Sequence, residues 1–323
     1  MLLALAVPVT LSGPASARDV DGLASTGYVL GGTPDRIVER DAHGLATLGI
    51  DGVGITPDGR DVALPDGQLR HLVRTAHENG LRAELLVHNV SEVTGDFDPK
   101  AAAALLRHPR RIRSVAAQLA SFVAADGFDG IHIDLESMSK EDGPGLVRFA
   151  EELQARMAPE KTVGIAMMAS TDRREYKQRG YLLGPLDQTI DTVALMTYDQ
   201  HGPGWSGPGP IGALSWQREA LGTLFQVVPP TKVDVGVAGY GYSWPTHGTG
   251  RSLTVRQARK LVATDGATAK WRARPGEWTA KLSDGTVLWW SDGDSYALRQ
   301  QLAVDLGAHG LALWRLGSAD PLP

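Results

Sequence analysis

Eight short, almost uninterrupted apolar runs separated by stretches of helical periodicity constrain this chain more than any other feature of its sequence. The runs occupy residues 28–30, 52–55, 82–87, 130–135, 163–168, 192–198, 233–238 and 310–314. Near-continuous hydrophobicity suits strands buried on both faces of a parallel sheet better than half-exposed antiparallel strands. Between them, residues 34–48, 68–79, 98–125, 144–157, 211–225 and 295–306 carry helical spacing, the first opening on proline. Eight strands alternating with helices predict an α/β fold, a (β/α)8 TIM barrel closed by right-handed crossovers. A doubly wound open sheet is the alternative, but no G-x-G-x-x-G follows the first strand to mark a dinucleotide site.

One interval breaks the rhythm. Residues 245–292, between the seventh and eighth strands, are too many for one helix. They hold a helical segment at 254–263 and strand-like pieces at 268–272, 277–282 and 287–291, with Asp284-Gly285 as a hairpin turn. This predicts a small α+β insertion within a catalytic barrel spanning 18–318. Ahead of it, an apolar run at 2–9 is followed by Ala15-Ser16-Ala17, a small-x-small site. That pattern reads as a signal peptide over 1–17, and hence a secreted or cell-envelope protein. The run is far shorter than the ~20 apolar residues of a membrane span, so no span is expected.

Composition removes several function classes. Lys plus Arg number 32 against 37 Asp plus Glu, a net charge of −5 that offers no footprint for nucleic acid or an anionic membrane. The absence of cysteine excludes a disulfide framework, a Cys nucleophile and thiolate metal sites. The nine histidines show neither H-x-x-x-H nor H-E-x-x-H spacing, and there is no G-x-S-x-G elbow or Walker loop. No metal or other cofactor is expected, and a monomer is.

The fourth strand carries the chemistry. It reads Asp126-Gly127-Phe128-Asp129-Gly130-Ile131-His132-Ile133-Asp134-Leu135-Glu136. Period-two geometry puts His132, Asp134 and Glu136 on one face and Ile131, Ile133 and Leu135 on the other. Charged residues facing inward near the C-terminal end of a barrel strand stand where active sites are built. Two carboxyl groups this close cannot both ionise freely, so one should be pushed up toward a general-acid role.

These residues resemble the signature of glycoside hydrolase family 18, the chitinase-like barrels, whose fourth strand reads Asp-Gly-x-Asp-x-Asp-x-Glu. Asp129, Gly130, Asp134 and Glu136 match, and His132 stands at the third acidic position. Met196-Thr197-Tyr198-Asp199 closes strand six as in that family, Gly239-Tyr240-Gly241-Tyr242 follows strand seven, and Trp314 ends strand eight. Tyr198-Asp199-Gln200-His201 and Leu214-Ser215-Trp216 look like the branch with spore-cortex and cell-wall N-acetylglucosaminidases.

The resemblance implies a retaining hydrolase of β-linked N-acetylglucosamine-containing oligo- or polysaccharides, chitin-like or peptidoglycan. Glu136 would be acid and base, Asp134 would stabilise an oxazolinium formed by the substrate's own acetamido group, and Tyr198 would orient that group. Asp199, Met196, Tyr240, Trp314 and His132 would form the sugar site, with His132 donating to Asp134. Trp314 and Trp244 are the tryptophans expected to contact sugar, with Trp216, Trp271 and Trp290 read as packing. A non-catalytic lectin-like barrel and a glycan-processing module of an envelope polysaccharide system are the alternatives. Retention of Glu136, Asp134 and Tyr198 favours the enzyme over the lectin.

Overall fold

The computed structural model describes residues 22–323, so the leader expected over 1–17 lies outside the described residues. Thirteen strands follow: β1 (Ala24–Leu30), β2 (Thr47–Gly54), β3 (Arg82–His88), β4 (Gly130–Asp134), β5 (Thr162–Met168), β6 (Thr192–Met196), β7 (Val233–Ala238), β8 (Tyr240–Trp244), β9 (Arg251–Thr254), β10 (Lys270–Arg272), β11 (Glu277–Lys281), β12 (Val287–Trp290) and β13 (Gly310–Trp314). Strands β1 to β7 and then β13 close a parallel barrel, with β13 pairing both β7 and β1. Among the described residues no helix is long and apolar enough to cross a membrane.

The predicted alternation along β4 decides which groups reach the interior. Ile131, Ile133 and the following Leu135 are at most 1% exposed and pack outward among the helices. Burying each of these side chains contributes about 2 kcal/mol. His132 and Asp134, of opposite parity, therefore point into the barrel. There Tyr28, Leu86, Ala194 and Ala312 form an interior layer capped by Trp314. Gly49 of β2 lies beside Tyr28 of β1, where a Cβ would stand 2.4 Å from the ring. Only glycine admits the tyrosine there.

Three local expectations are corrected. The segment 34–48 is not one helix: it is helical over Asp35–Asp41, makes a 3-10 turn at Ala42–Gly44, and gives Thr47 and Leu48 to β2. Strand two accordingly starts five residues before the apolar run at 52–55. The segment 98–125 is two helices, Pro99–Leu106 and Pro109–Asp126, because Pro109 forces His108 into extended backbone (φ −128°, ψ 98°) and can only open a new helix.

The insertion is a five-stranded antiparallel sheet in the order β10-β11-β12-β8-β9, crossed by the helix Val255–Asp265. It draws β8 from Tyr240–Trp244, ahead of the Pro245 where spacing alone sets the boundary. Glu277 of β11 ties it to the barrel. That carboxylate accepts from the backbone amides of Ile211 (2.7 Å) and Gly212 (2.9 Å), and Arg299 donates to it at 3.2 Å, both side chains being 1% exposed. Arg299 also donates to the Gly212 and Gly276 carbonyls at 2.5 and 2.6 Å. Removing one partner of a buried pair strands the other without solvent. Glu277→Ala should therefore lower the unfolding free energy by about 3 kcal/mol, read as a drop in the urea midpoint. An unchanged midpoint would mean that the pair adds nothing.

Candidate active site

The C-terminal ends of β2, β3, β4, β5, β6 and β13 surround a cavity of about 490 Å3. Asp134 closes β4 and Glu136 follows two residues later, held by its backbone rather than by the strand. Asn89, fully buried just past β3, accepts the Glu136 amide hydrogen at 2.9 Å and donates to its carbonyl at 2.9 Å. Ser137 next to it is left-handed (φ 56°), a conformation that non-glycine residues seldom adopt without tertiary support. This clamp turns the chain at Glu136 and leaves its side chain on the cavity wall.

Electrostatics differ between the acids. Burial pushes Asp134 up to about 7, with His132 opposing and the Asp51 charge adding to the rise. Burial likewise pushes Glu136 up to about 8, reinforced by Asp134, Asp199 and Asp96. Oδ1 of Asp134 is buried without a hydrogen-bond partner among the described residues. A carboxyl group held this way is ready to bind a polar group of a ligand. Tyr198 lies on the wall beyond β6, and its burial holds the phenol protonated well above its usual range.

Asp199 adopts a left-handed backbone (φ 57°) that aims its carboxylate at the tyrosines of β8. Its Oδ1 accepts from Tyr240 at 2.5 Å and Tyr242 at 2.8 Å. Enclosure raises this carboxyl, and the two hydroxyl donors counter the rise. Met196 and Trp314 complete the wall, with Trp314 resting against Tyr28 (ring centroids 5.8 Å apart).

The cavity thus gathers Glu136, Asp134, Tyr198, Asp199, Met196 and Trp314. It does not gather His132, Tyr240 or Trp244. His132 sits one layer deeper at 3% exposure, its Nδ1 3.4 Å from the Tyr28 hydroxyl and 3.8 Å from Glu84 Oε2. Tyr240 stands behind Asp199 and serves it. Trp244 is buried, donating its indole N–H to the Ser206 carbonyl at 3.2 Å. Trp216, expected to be packing, lines the cavity instead. The sequence also left Asp51, His88, Asn89, Glu175 and Arg179 unremarked, all but Asn89 on the wall, where Gln200 of the quoted motif joins them. Asp51 and His88 face each other at 3.6 Å. The backbone amide of Val90 donates to His88 Nδ1 at 3.1 Å, so a neutral His88 keeps its proton on Nε2, toward the cavity. Polar groups at the C-terminal end of an apolar strand were the signal available for this pair.

A cleft with two raised carboxyl groups, a protonated phenol, an anchored carboxylate and an indole wall suits a neutral ring carrying many hydroxyls. Comparison with known proteins agrees. The sequence model of Glycosyl hydrolases family 18 matches residues 92–319. The uncharacterized glycosylase YvbX of Bacillus subtilis is 22% identical over 253 residues, 75% of this chain and 73% of that protein. A chitinase from Chromobacterium violaceum has the same fold at a TM-score of 0.83 and 24% identity, covering 92% of this chain and 95% of its own. The spore cortex-lytic enzyme SleL of Bacillus cereus follows at 0.82 and 19%, covering 93% and 72%. With its barrel, its fourth-strand acids and this match across most of its length, the chain belongs to glycosyl hydrolases family 18 and is a glycoside hydrolase.

Proposed function

We propose that this enzyme cleaves β-linked N-acetylglucosamine glycans with retention of configuration, the substrate's own 2-acetamido group acting as nucleophile. The observation that carries this is the stacking of Asp134 and Glu136 at one strand end, both raised toward or above neutrality, in one cavity with Tyr198. In the first step the acetamido oxygen bonds to the anomeric carbon as the glycosidic C–O bond breaks. The leaving oxygen takes the Glu136 proton. Asp134 accepts a hydrogen bond from the acetamido N–H and balances the positive oxazolinium, while the Tyr198 hydroxyl fixes the acetamido oxygen for attack. Water then adds to the anomeric carbon, returns its proton to Glu136 and restores the acetamide.

A protein nucleophile would need a free second carboxylate close by. Asp199 has one oxygen committed to two tyrosine hydroxyls, and Asp51 faces His88, which supports the substrate-assisted course. The spore-cortex and chitin names of the structural neighbours, and the small-residue site ending at Ala17, fit a cell-wall or chitin-type polymer outside the cytoplasm. Proton NMR of freshly released product tests the stereochemistry: the β-anomer should appear first, and an initial α-anomer would overturn the reading.

The pH profile follows from Glu136. It must be protonated to act as acid, so kcat/KM should fall as pH rises through about 8. Asp199 contributes to that elevation, so Asp199→Asn should move this limb to lower pH. A limb unmoved by that change would remove Asp199 from the electrostatics of the acid.

A further inference from the structure

Beside the cavity, on the same face of the barrel, runs a second groove of about 730 Å3 between the end of β1, the helix Asp35–Asp41, the insertion helix and the segment after β13. Five arginines line it, Arg36, Arg40, Arg256, Arg259 and Arg315, against one acid, Asp320. Two are neutralised where they stand. Arg40 pairs with buried Asp41 at 2.6 Å, and Arg259 pairs with Asp292 and Asp320, each at 2.7 Å. Arg36, Arg256 and Arg315 make no side-chain hydrogen bond or ion pair among the described residues, and Arg36 and Arg256 are exposed. In a chain of net charge −5, three unmatched guanidinium groups in one concave strip are a local reversal of sign.

The groove adjoins the catalytic cavity. Trp314, on the cavity wall, is followed directly by Arg315, on the groove. The Arg315 charge also reaches Asp51 on the opposite side of that boundary, where it and His88 oppose the rise that burial imposes. A polymer seated over Trp314 and continuing toward the end of β1 would pass Arg315 and then the rest of the groove. Guanidinium forks bind carboxylates and phosphates in bidentate fashion, whereas they gain little from the hydroxyls of a neutral sugar.

We infer that this groove binds oxyanions carried by the glycan chain, so that the enzyme is adapted to an anionic N-acetylglucosamine polymer and not to neutral chitin. The inference rests on the proposed glycosidase reading and adds the substrate class to it. The carboxylates of a peptide-bearing cell-wall glycan and the phosphodiesters of a wall polymer attached to it are the two sources of such groups.

The test compares wild type with Arg36→Glu/Arg256→Glu on three substrates: a neutral chito-oligosaccharide, cell-wall glycan strands stripped of phosphate, and strands retaining their phosphodiester polymer. The double variant should raise KM on the anionic strands about tenfold, the size expected from reversing two exposed charges, with kcat kept. Its kinetics on the chito-oligosaccharide should match wild type, which also certifies its fold. Raising salt from about 50 to about 300 mM should weaken wild type on the anionic strands alone. Loss already on the stripped strands assigns the ligand to carboxylates, and loss confined to the phosphodiester-bearing strands assigns it to phosphates. Equal effects on charged and neutral substrates, or no effect on either, would overturn the inference. Salt-sensitive binding of the stripped and phosphodiester-bearing strands to both proteins, measured by calorimetry, separates the two ideas. If nothing is cleaved yet that binding is lost in the variant, the glycosidase reading fails and the groove stands. If the strands bind both proteins alike, the groove fails.

Discussion

Glu136→Gln is expected to accumulate as folded protein and to lose about three orders of magnitude in kcat, the range associated with a positioned general acid. The amide keeps the shape of the carboxyl group and the backbone clamp from Asn89, so the fold has no reason to change. It cannot deliver a proton. The same substitution should raise stability, with a particular pH dependence. Glu136 in the folded protein holds its proton up to about 8, against an ordinary value of 4.5. Between those values the native state binds a proton that the unfolded chain has released, so rising pH progressively destabilises the wild type. The stabilising contribution is complete below 4.5 and gone above about 8. Glutamine does not titrate, so the variant's melting temperature should pull ahead of wild type through this window and then hold its lead. A variant with a tenth of the wild-type kcat, or melting curves that run parallel across the window, would remove Glu136 from the role.

Replacing the acetamide of the cleaved sugar by a free amine should abolish turnover as thoroughly, by about three orders of magnitude or more, since an intramolecular nucleophile is worth a very large effective concentration. The amine lacks the carbonyl oxygen that bonds to the anomeric carbon. A thiazoline that copies the bicyclic intermediate should inhibit strongly, because it presents its nitrogen to Asp134 in the geometry the site holds best. Tyr198→Phe, which removes the orienting hydroxyl and nothing else, should lower kcat while leaving thermal stability close to wild type. Comparable rates on acetylated and de-acetylated oligomers would sink substrate assistance and return attention to Asp199 and Asp51 as candidate nucleophiles.

What could be read in advance followed the strength of the periodic signal. The barrel was legible because strands buried on both faces are written as apolar runs, and β3 to β7 and β13 fall where those runs do. β2 was misplaced because Asp51 and the glycines on either side of it dilute its hydrophobicity. The same irregularity serves the cavity: the pairing with β3 slips between Asp51 and Val53, a bulge of the kind that re-aims a side chain beside an active site. Asp51 was lost to view for the reason that makes it useful. Asn89 left no trace because its contribution is to another residue's backbone, at a sequence distance of 47. Tyr240 was drawn toward the sugar by the family resemblance and Trp244 by its residue type, yet β8 turns away from the barrel into the small sheet and carries them behind the wall. His132 was correctly placed on the face of Asp134. Its partners, Tyr28 and Glu84 from other strands, depend on closure of the barrel and could not be inferred from spacing along one strand.

The way Glu277 grips the loop after β6 limits how this enzyme could be remodelled. The amides it holds, Ile211 and Gly212, end the stretch that begins with Tyr198 and Asp199, and Gln200 bonds back to Ile211 within it. Exchanging the insertion for that of a relative would therefore pull on two cavity-lining side chains although neither lies in the exchanged piece. A working chimera must import an acid at the Glu277 position or bring a replacement loop from the same donor. Within this lineage the insertion and the loop after β6 should thus be inherited together, and drift in the small sheet should be concentrated in its outer strand β9, farthest from that joint in the strand order.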